Sequence, residues 1–262
     1  MAFYSCEFTF DGESSYMHGL MLCGFGGSKQ NNVSFGNEAN IIESKTNKRI
    51  QPIHLGVNYN NTPLQFKLIF GAERALDRYE LEDIGMWLTG HQNYKWLTID
   101  QPDLSNVAFR CIITKLTPLQ YGGYPAAFEA TVRCDCPYAY SYPFEMSYTI
   151  RNVTNILFRN ESSIHEYFKP IITFQPTSQS NLSIVNNDDN DREFLIDYSM
   201  TNSMFVSVDN VNGIILETNH GTNLYPYFNM NFLRLVHGDN HLTVTGNGLL
   251  KISGRFLYNV AG

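Results

Sequence analysis

Along most of this chain, apolar and polar residues alternate, and in one stretch they change to a helical rhythm. Across 63–70, Leu64, Phe66, Leu68 and Phe70 fall on one side of a two-residue repeat. Across 128–136, Phe128, Ala130, Val132, Cys134 and Cys136 share one side, and Glu129, Thr131, Arg133 and Asp135 the other. A period of two marks a strand with one buried face. Between them lies ERALDRYELEDIGMWL, residues 73–88. There Leu76, Leu81, Ile84, Trp87 and Leu88 fall near 3.6-residue spacing, with Glu80, Glu82 and Asp83 largely off that stripe. Gly90 supplies a C-terminal stop. The pattern predicts one helix over about 73–89, then a strand at 94–100.

The remaining elements are short strands. Glu7 to Phe10 alternates into Asp11-Gly12, a hairpin turn signal. Residues 16–25 form a second strand candidate, closed by Gly26-Gly27. Residues 40–55 (NIIESKTNKRIQPIHL) set polar residues between two apolar ends, as a long hairpin or arm does. Residues 111–116 resume the strand pattern. A proline-punctuated aromatic stretch, 137–147, has no clean period and places a domain boundary near residue 141. Beyond it, strand candidates fall at 170–174, 181–185, 193–197, 204–208, 214–217, 229–234, 242–245 and 250–257. Turn signals separate them at 186–191, 209–213, 237–240 and Gly246-Asn247-Gly248. Regular short strands with such turns predict a β-sandwich or barrel.

Composition narrows the function. At 262 residues the chain suits one large or two ordinary domains. Hydrophobic residues make up 43% and charged residues 16%, so it can bury real cores. The 16 Tyr and 18 Phe favour sheets and sheet-packed interfaces. A formal net charge of −7 argues against a nucleic-acid grip, which needs a basic surface. The main basic cluster, KTNKR at 45–49, reads as a hairpin tip. Five cysteines, an odd number in a chain of this size, do not make a disulfide framework. The opening MAFYSCEFTFDG is strand-like rather than leader-like, which points to a cytosolic product. No apolar run approaches the ~18–20 residues of a membrane helix.

Candidate chemistry is sparse. Cys134-Asp135-Cys136 has one-residue spacing and no second pair, so it reads as buried strand cysteines rather than zinc ligands. Asp188-Asp189-Asn190-Asp191 fails the calcium-loop pattern, because Phe194 stands where the loop needs Gly. Gly24-Phe25-Gly26-Gly27 lacks the Lys-Ser/Thr tail of a phosphate cradle. The seven histidines sit beside no recognisable nucleophile motif. Paired glycosidase carboxylates stay open, since their pairing is spatial. No catalytic, cofactor or metal residue is nominated.

The motifs in order resemble a known family. FTFDGESSYMHGLMLCGFGG at the start, the helix ending Gly-x-Trp-Leu, and Leu-Thr-Ile-Asp at 97–100 are similar to distal tail proteins of long, non-contractile-tailed bacteriophages. The likeness continues through Phe168-Lys169-Pro170-Ile171-Ile172, Phe205 to Asp209, Ile214, Leu224-Tyr225, Phe232-Leu233, residues 237–244 (HGDNHLTV) and the closing strand at 251–258. It implies a mainly β protein. Residues 1–140 would form a β-structure with one helix that closes into a homohexameric ring, and residues 141–262 a galectin-like β-sandwich. It also implies a non-enzymatic hub at the virion tail tip, open to DNA passage without specific nucleic-acid binding and without a membrane segment. The implied partners are the tail tube protein, a tail-associated tip or lysin protein, and receptor-binding proteins. The second half contains no Trp, since Trp87 and Trp96 both precede it, so the galectin sugar site is not matched. A lectin-like module for cell-wall sugars stays as the alternative.

Overall fold

The computed structural model describes residues 7–22, 39–45, 50–59, 62–121 and 123–260. The chain divides into two compact units, Ser141–Leu257 and Met1–Tyr140 joined by Tyr258–Gly262. Tyr258–Gly262 thus group with the first unit.

The first unit contains β1 (Phe8–Phe10), β2 (Glu13–Ser14), β3 (Leu20–Leu22), β4 (Ala39–Ser44), β5 (Ile53–Tyr59), β6 (Gln65–Ala72), α1 (Arg78–Thr89), β7 (Lys95–Ile99), β8 (Ala108–Tyr121), β9 (Tyr124–Cys134) and β10 (Ala139–Tyr140). Its main sheet runs β2-β1-β7-β8-β9-β6-β3, with antiparallel pairing throughout. Asp11 and Gly12 both have positive φ (53° and 86°), the combination that lets a two-residue turn match strand twist. The expected strand at 16–25 is broken. Ser15–His18 is a 3-10 turn, capped by the Ser14 hydroxyl and closed by Gly19 at φ 65°, and the strand covers Leu20–Leu22 before leaving the described residues.

The helix begins five residues later than its apolar rhythm suggests. Asp77 takes extended backbone and accepts the Glu80 N–H, while the Glu80 side chain accepts the Asp77 N–H. That capping box fixes the start at Arg78. Leu76 still joins the core, but from extended chain whose N–H donates to the Pro125 carbonyl. Ile84, Trp87 and Leu88 bury the inner face against Phe8, Phe10, Leu20, Phe70 and Leu97. Each such side chain contributes roughly 1.5–3 kcal/mol by leaving water. Trp87 orients the helix: its indole N–H donates to the Phe10 carbonyl at 3.1 Å, and its ring stacks on Phe8 and His18.

The second unit contains β11 (Phe144–Asn160), β12 (Ile171–Pro176), β13 (Ser180–Asn186), β14 (Arg192–Met200), β15 (Val206–Asp209), β16 (Ile214–Glu217) and β17 (Gly238–Gly254), and the short β18 (Leu257–Tyr258) follows. β11 pairs with β17 along its whole length. On its other edge β17 pairs first with β13, at 242–245, and then with β12, at 248–253. One sheet thus divides into two wings along a shared ribbon. The Gly246-Asn247-Gly248 turn signal marks this fork and does not end a strand. A side chain at Gly248 would meet the Gln175 carbonyl and the Phe174 ring, so the close crossing requires glycine. β11 escapes the sequence pattern, because its ring-rich start hides the alternation. The candidate strand at 229–234 is absent. There the chain runs from a 3-10 turn, Tyr225–Tyr227, through a single bridge of Phe228 to Ile196. Asn229 holds it by accepting the Leu195 N–H and donating to the Glu193 carbonyl.

Candidate functional site

The feature with the clearest need for a partner is the hairpin of β4 and β5. Among the described residues it forms a sheet of its own, paired to no other strand. Its register sets Ile41 opposite Val57 and Ser44 opposite Ile53, with a bulge between Ile42 and Glu43. The apolar residues face solvent: Ile41 and Leu55 are each 63% exposed, and Ile42, Ile53 and Val57 are also exposed. The sequence sets polar residues between two apolar ends, and those ends form the two paired strands. A lone two-stranded hairpin is marginal in water, and an exposed apolar run of this kind marks an interface. The basic tip at 46–49 lies outside the described residues; Lys45 at its base is exposed and 3.6 Å from Glu43.

A second exposed surface lies on α1. Tyr79 is 76% and Met86 73% exposed on the outer face, and Glu82 and Asp83 are exposed between them. Beside the helix, the 3-10 turn whose His18 stacks on Trp87 carries exposed Tyr16 and Met17. Arg78 donates to Glu82 at 3.0 Å. Glu80 is turned away to Arg74 and the Asp77 N–H, and the Arg74 hydrogen bond, then that backbone donor, hold its carboxyl below the usual range. These carboxylates serve capping and surface charge rather than acid–base chemistry.

The sequence motifs with a chemical alternative resolve as structural parts. Cys111 and Cys134 sit opposite each other on β8 and β9, fully buried. Burial pushes the Cys111 thiol up to about 12, and Cys134 moves the same way for the same cause. Such thiols are poor ligands and poor nucleophiles. Cys136 donates to the Tyr138 carbonyl, and the Tyr140 hydroxyl donates to Asp135. Among the described residues no group of three or more His, Cys, Asp or Glu could hold a metal ion. In the 188–191 loop the carboxylates turn to protein donors. Asp189 takes two bonds from Arg234, at 2.7 and 3.1 Å, and Asp188 accepts from His241. Cys6, Cys23 and the Gly24–Gly27 run lie outside the described residues.

Sequence reasoning missed Glu217. Its side chain is fully buried. Desolvation pushes the carboxyl up, but backbone N–H groups of Thr222, Asn219, His220 and Phe205 outweigh it and hold it down at about 2. The carboxylate thereby organises the loop after β16. A lone Glu ending an alternating strand carries no local signal of this role. On the same unit, Tyr198 and Tyr227 pair at 4.9 Å between ring centroids, and Tyr227 is exposed. The nearby Tyr225 hydroxyl is engaged, accepting the Ile215 N–H and donating to the Gly213 carbonyl.

Comparison with known proteins gives concordant results. Residues 3–136 match a family described as "Phage tail protein N-terminal domain", and residues 138–254 match "Phage tail C-terminal domain". No curated protein sequence matches the chain. Among solved structures, the fold is similar to the SPP1 Dit (gp 19.1) protein, described as a paradigm of the hub adsorption apparatus in phages infecting Gram-positive hosts. The TM-score is 0.67 at 11% identity, covering 96% of this chain and 99% of that one. It is also similar to a chain of the phage p2 baseplate in its activated conformation with Sr, with TM-score 0.52 at 12% identity, covering 95% and 97%. The corresponding structure with Ca gives 0.50 at 11%, covering 90% of each chain.

Proposed function

Because the chain belongs to the phage tail protein family, whose N-terminal and C-terminal domains it matches in order, we propose that it is the distal tail hub of a long, non-contractile-tailed phage. It is a structural component of the virion tail and not an enzyme. In this reading six copies of the first unit close into a ring at the tail tip. The tail tube protein docks on one side, and the tip or lysin protein and receptor-binding proteins on the other. The second units, galectin-like sandwiches, project as docking platforms. The boundary between ring domain and platform falls near residue 141.

The observation that carries this reading is the end-to-end match to two tail-protein domains, joined to a fold shared with a hub protein over nearly its full length. The physics agrees. A hairpin with apolar residues in water needs a neighbour, and head-to-tail contacts whose rotation closes make rings rather than filaments. A net charge of −7 suits a channel through which DNA passes without sticking. Gold-labelled antibody against the chain tests the placement on intact virions. Label confined to the distal tail end is expected; label along the tube or at the head would refute it.

One observation favours testing the lectin-like alternative, the Tyr198–Tyr227 ring pair, of which Tyr227 is exposed. Aromatic faces of this kind suit sugar stacking. A glycan array with the full chain, wild type and Tyr227→Ala, separates the readings: specific signal lost in the variant supports the lectin, and a blank array supports the scaffold.

A further inference from the structure

Two turns of the second unit bring a serine, a histidine and a buried carboxylate into one chain of contacts. The antiparallel register of β15 and β16 sets Val206 opposite Glu217. It thereby places the turn before β15, residues 201–204, beside the turn after β16, residues 218–220. We propose that Ser203 is a covalent acceptor site for acyl groups, with its hydroxyl as the nucleophile, His220 as the base and activated esters as the donor class.

Ser203 Oγ lies 3.5 Å from His220 Nε2. On the other side of the ring, His220 Nδ1 lies 3.5 Å from Glu217 Oε1. A carboxylate at Nδ1 keeps the proton on that nitrogen and leaves Nε2 bare to accept the serine proton. Thr201 Oγ1 is 3.0 Å from Ser203 Oγ, so with Thr201 donating to Ser203, the Ser203 hydroxyl donates to the ring. Both 3.5 Å contacts are long, as such contacts are before a substrate closes on them. Ser203 and His220 are exposed, within reach of a small donor, whereas Glu217 is fully buried. Backbone N–H groups hold its carboxylate ionised, one of them from His220 itself at 2.8 Å. Among the described residues it is the one charged group in contact with His220. A fixed anion beside an exposed imidazole favours the cation that forms when the ring takes a proton. The Asn219 side chain donates to the Ser203 carbonyl and ties the two turns together. Tying the turns requires Glu217 and Asn219, but not a histidine whose two nitrogens face an acid and a hydroxyl.

In the acylation step, Ser203 Oγ bonds to the carbonyl carbon of the ester. The bond from that carbon to the leaving oxygen breaks, and the hydroxyl proton passes through His220 Nε2 to the departing oxygen. The N–H groups of Phe205, Asn219, His220 and Thr222 all address Glu217, and that of Met204 addresses the Thr201 carbonyl. None of these is left to cradle an oxyanion. The donor must therefore carry a good leaving group, and the product is one acyl group per chain rather than turnover.

p-Nitrophenyl acetate, added to the full chain, tests this. Released nitrophenolate is followed with time, and peptide mass spectrometry locates the acetyl group. A burst that ends with a single acetyl group on the peptide containing Ser203 is expected. Ser203→Ala should abolish that acetylation, and His220→Gln should slow it about a hundredfold, with thermal melts unchanged because both residues are exposed. The wild-type rate is expected to rise between about pH 5 and pH 8, since only neutral imidazole accepts the hydroxyl proton. Glu217 acts through the ring as a positioning residue. Glu217→Gln, in samples whose melt shows a folded second unit, is expected to move that rise to lower pH, because the carboxylate no longer favours the imidazolium. A midpoint left in place removes Glu217 from the proposal and leaves it a structural role. Acetyl groups found on lysines and not on Ser203, a Ser203→Ala chain that reacts as wild type does, or a rate indifferent to His220 overturns the acceptor site.

Discussion

Replacing Glu217 with Gln isolates one buried charge. Gln keeps the shape of the side chain and mimics the protonated acid, but it removes the negative charge that four backbone N–H groups address. The folded-state value of about 2 lies well below the ordinary 4.5. By proton linkage that gap is worth roughly 3 kcal/mol to the folded second unit at neutral pH. The sign is that of a depressed carboxyl. The stabilisation is complete above about 4.5, declines as pH falls, and is gone below about 2. Urea denaturation of wild type and Glu217→Gln at pH 7, 4.5 and 2.5 measures it. The variant is expected to be less stable by about 3 kcal/mol at pH 7, a fall in Tm of roughly 10 °C for a unit of this size, with the difference mostly erased at pH 2.5. A penalty under about 1 kcal/mol at pH 7, or one that does not change with pH, would refute the role of the carboxylate.

Other substitutions test the fold at separate points. Gly248→Ala must push its methyl against the Gln175 carbonyl and the Phe174 ring, so a loss of at least ~2 kcal/mol is expected in thermal unfolding; a neutral result would mean that the wings do not cross so closely. Asp77→Ala removes half of the capping box and should cost about 1 kcal/mol in chemical denaturation, with helix content retained. Cys111 and Cys134, buried and with raised thiol pKa values, should resist iodoacetamide in the native protein at pH 8 and react once it is unfolded; rapid native labelling read by peptide mass would contradict their burial.

The parts legible in the sequence are those whose periodicity has a single cause. β6 and β9 bury one face each, so Phe66, Leu68 and Phe70, and Ala130, Val132 and Cys134, announce themselves. The inner stripe of α1 does the same, but its start depends on Asp77 and Glu80 rather than on the apolar rhythm, which Leu76 extends falsely. The longest strands were the hardest to read. β11 and β17 serve both wings of one sheet, and β17 crosses the wings at Gly246 and Gly248 without ending, so glycine read as a turn. Residues 40–55 were legible as a hairpin, and the exposure of its apolar residues was not. Polar tip residues dominate residues 40–55 as text, whereas folding turns Ile41, Leu55 and Val57 outward. The role of Glu217 depends on four donors brought together by the loop, and no spacing rule contains it.

Native mass spectrometry of the purified chain, with negative-stain microscopy of the same sample, tests the hub account most directly. Six copies of a 29.9 kDa chain give a mass of about 180 kDa. The account predicts hollow six-fold rings at that mass, populated more fully as concentration rises. A single 29.9 kDa species up to the highest soluble concentration, or a closed two-fold dimer, would contradict it.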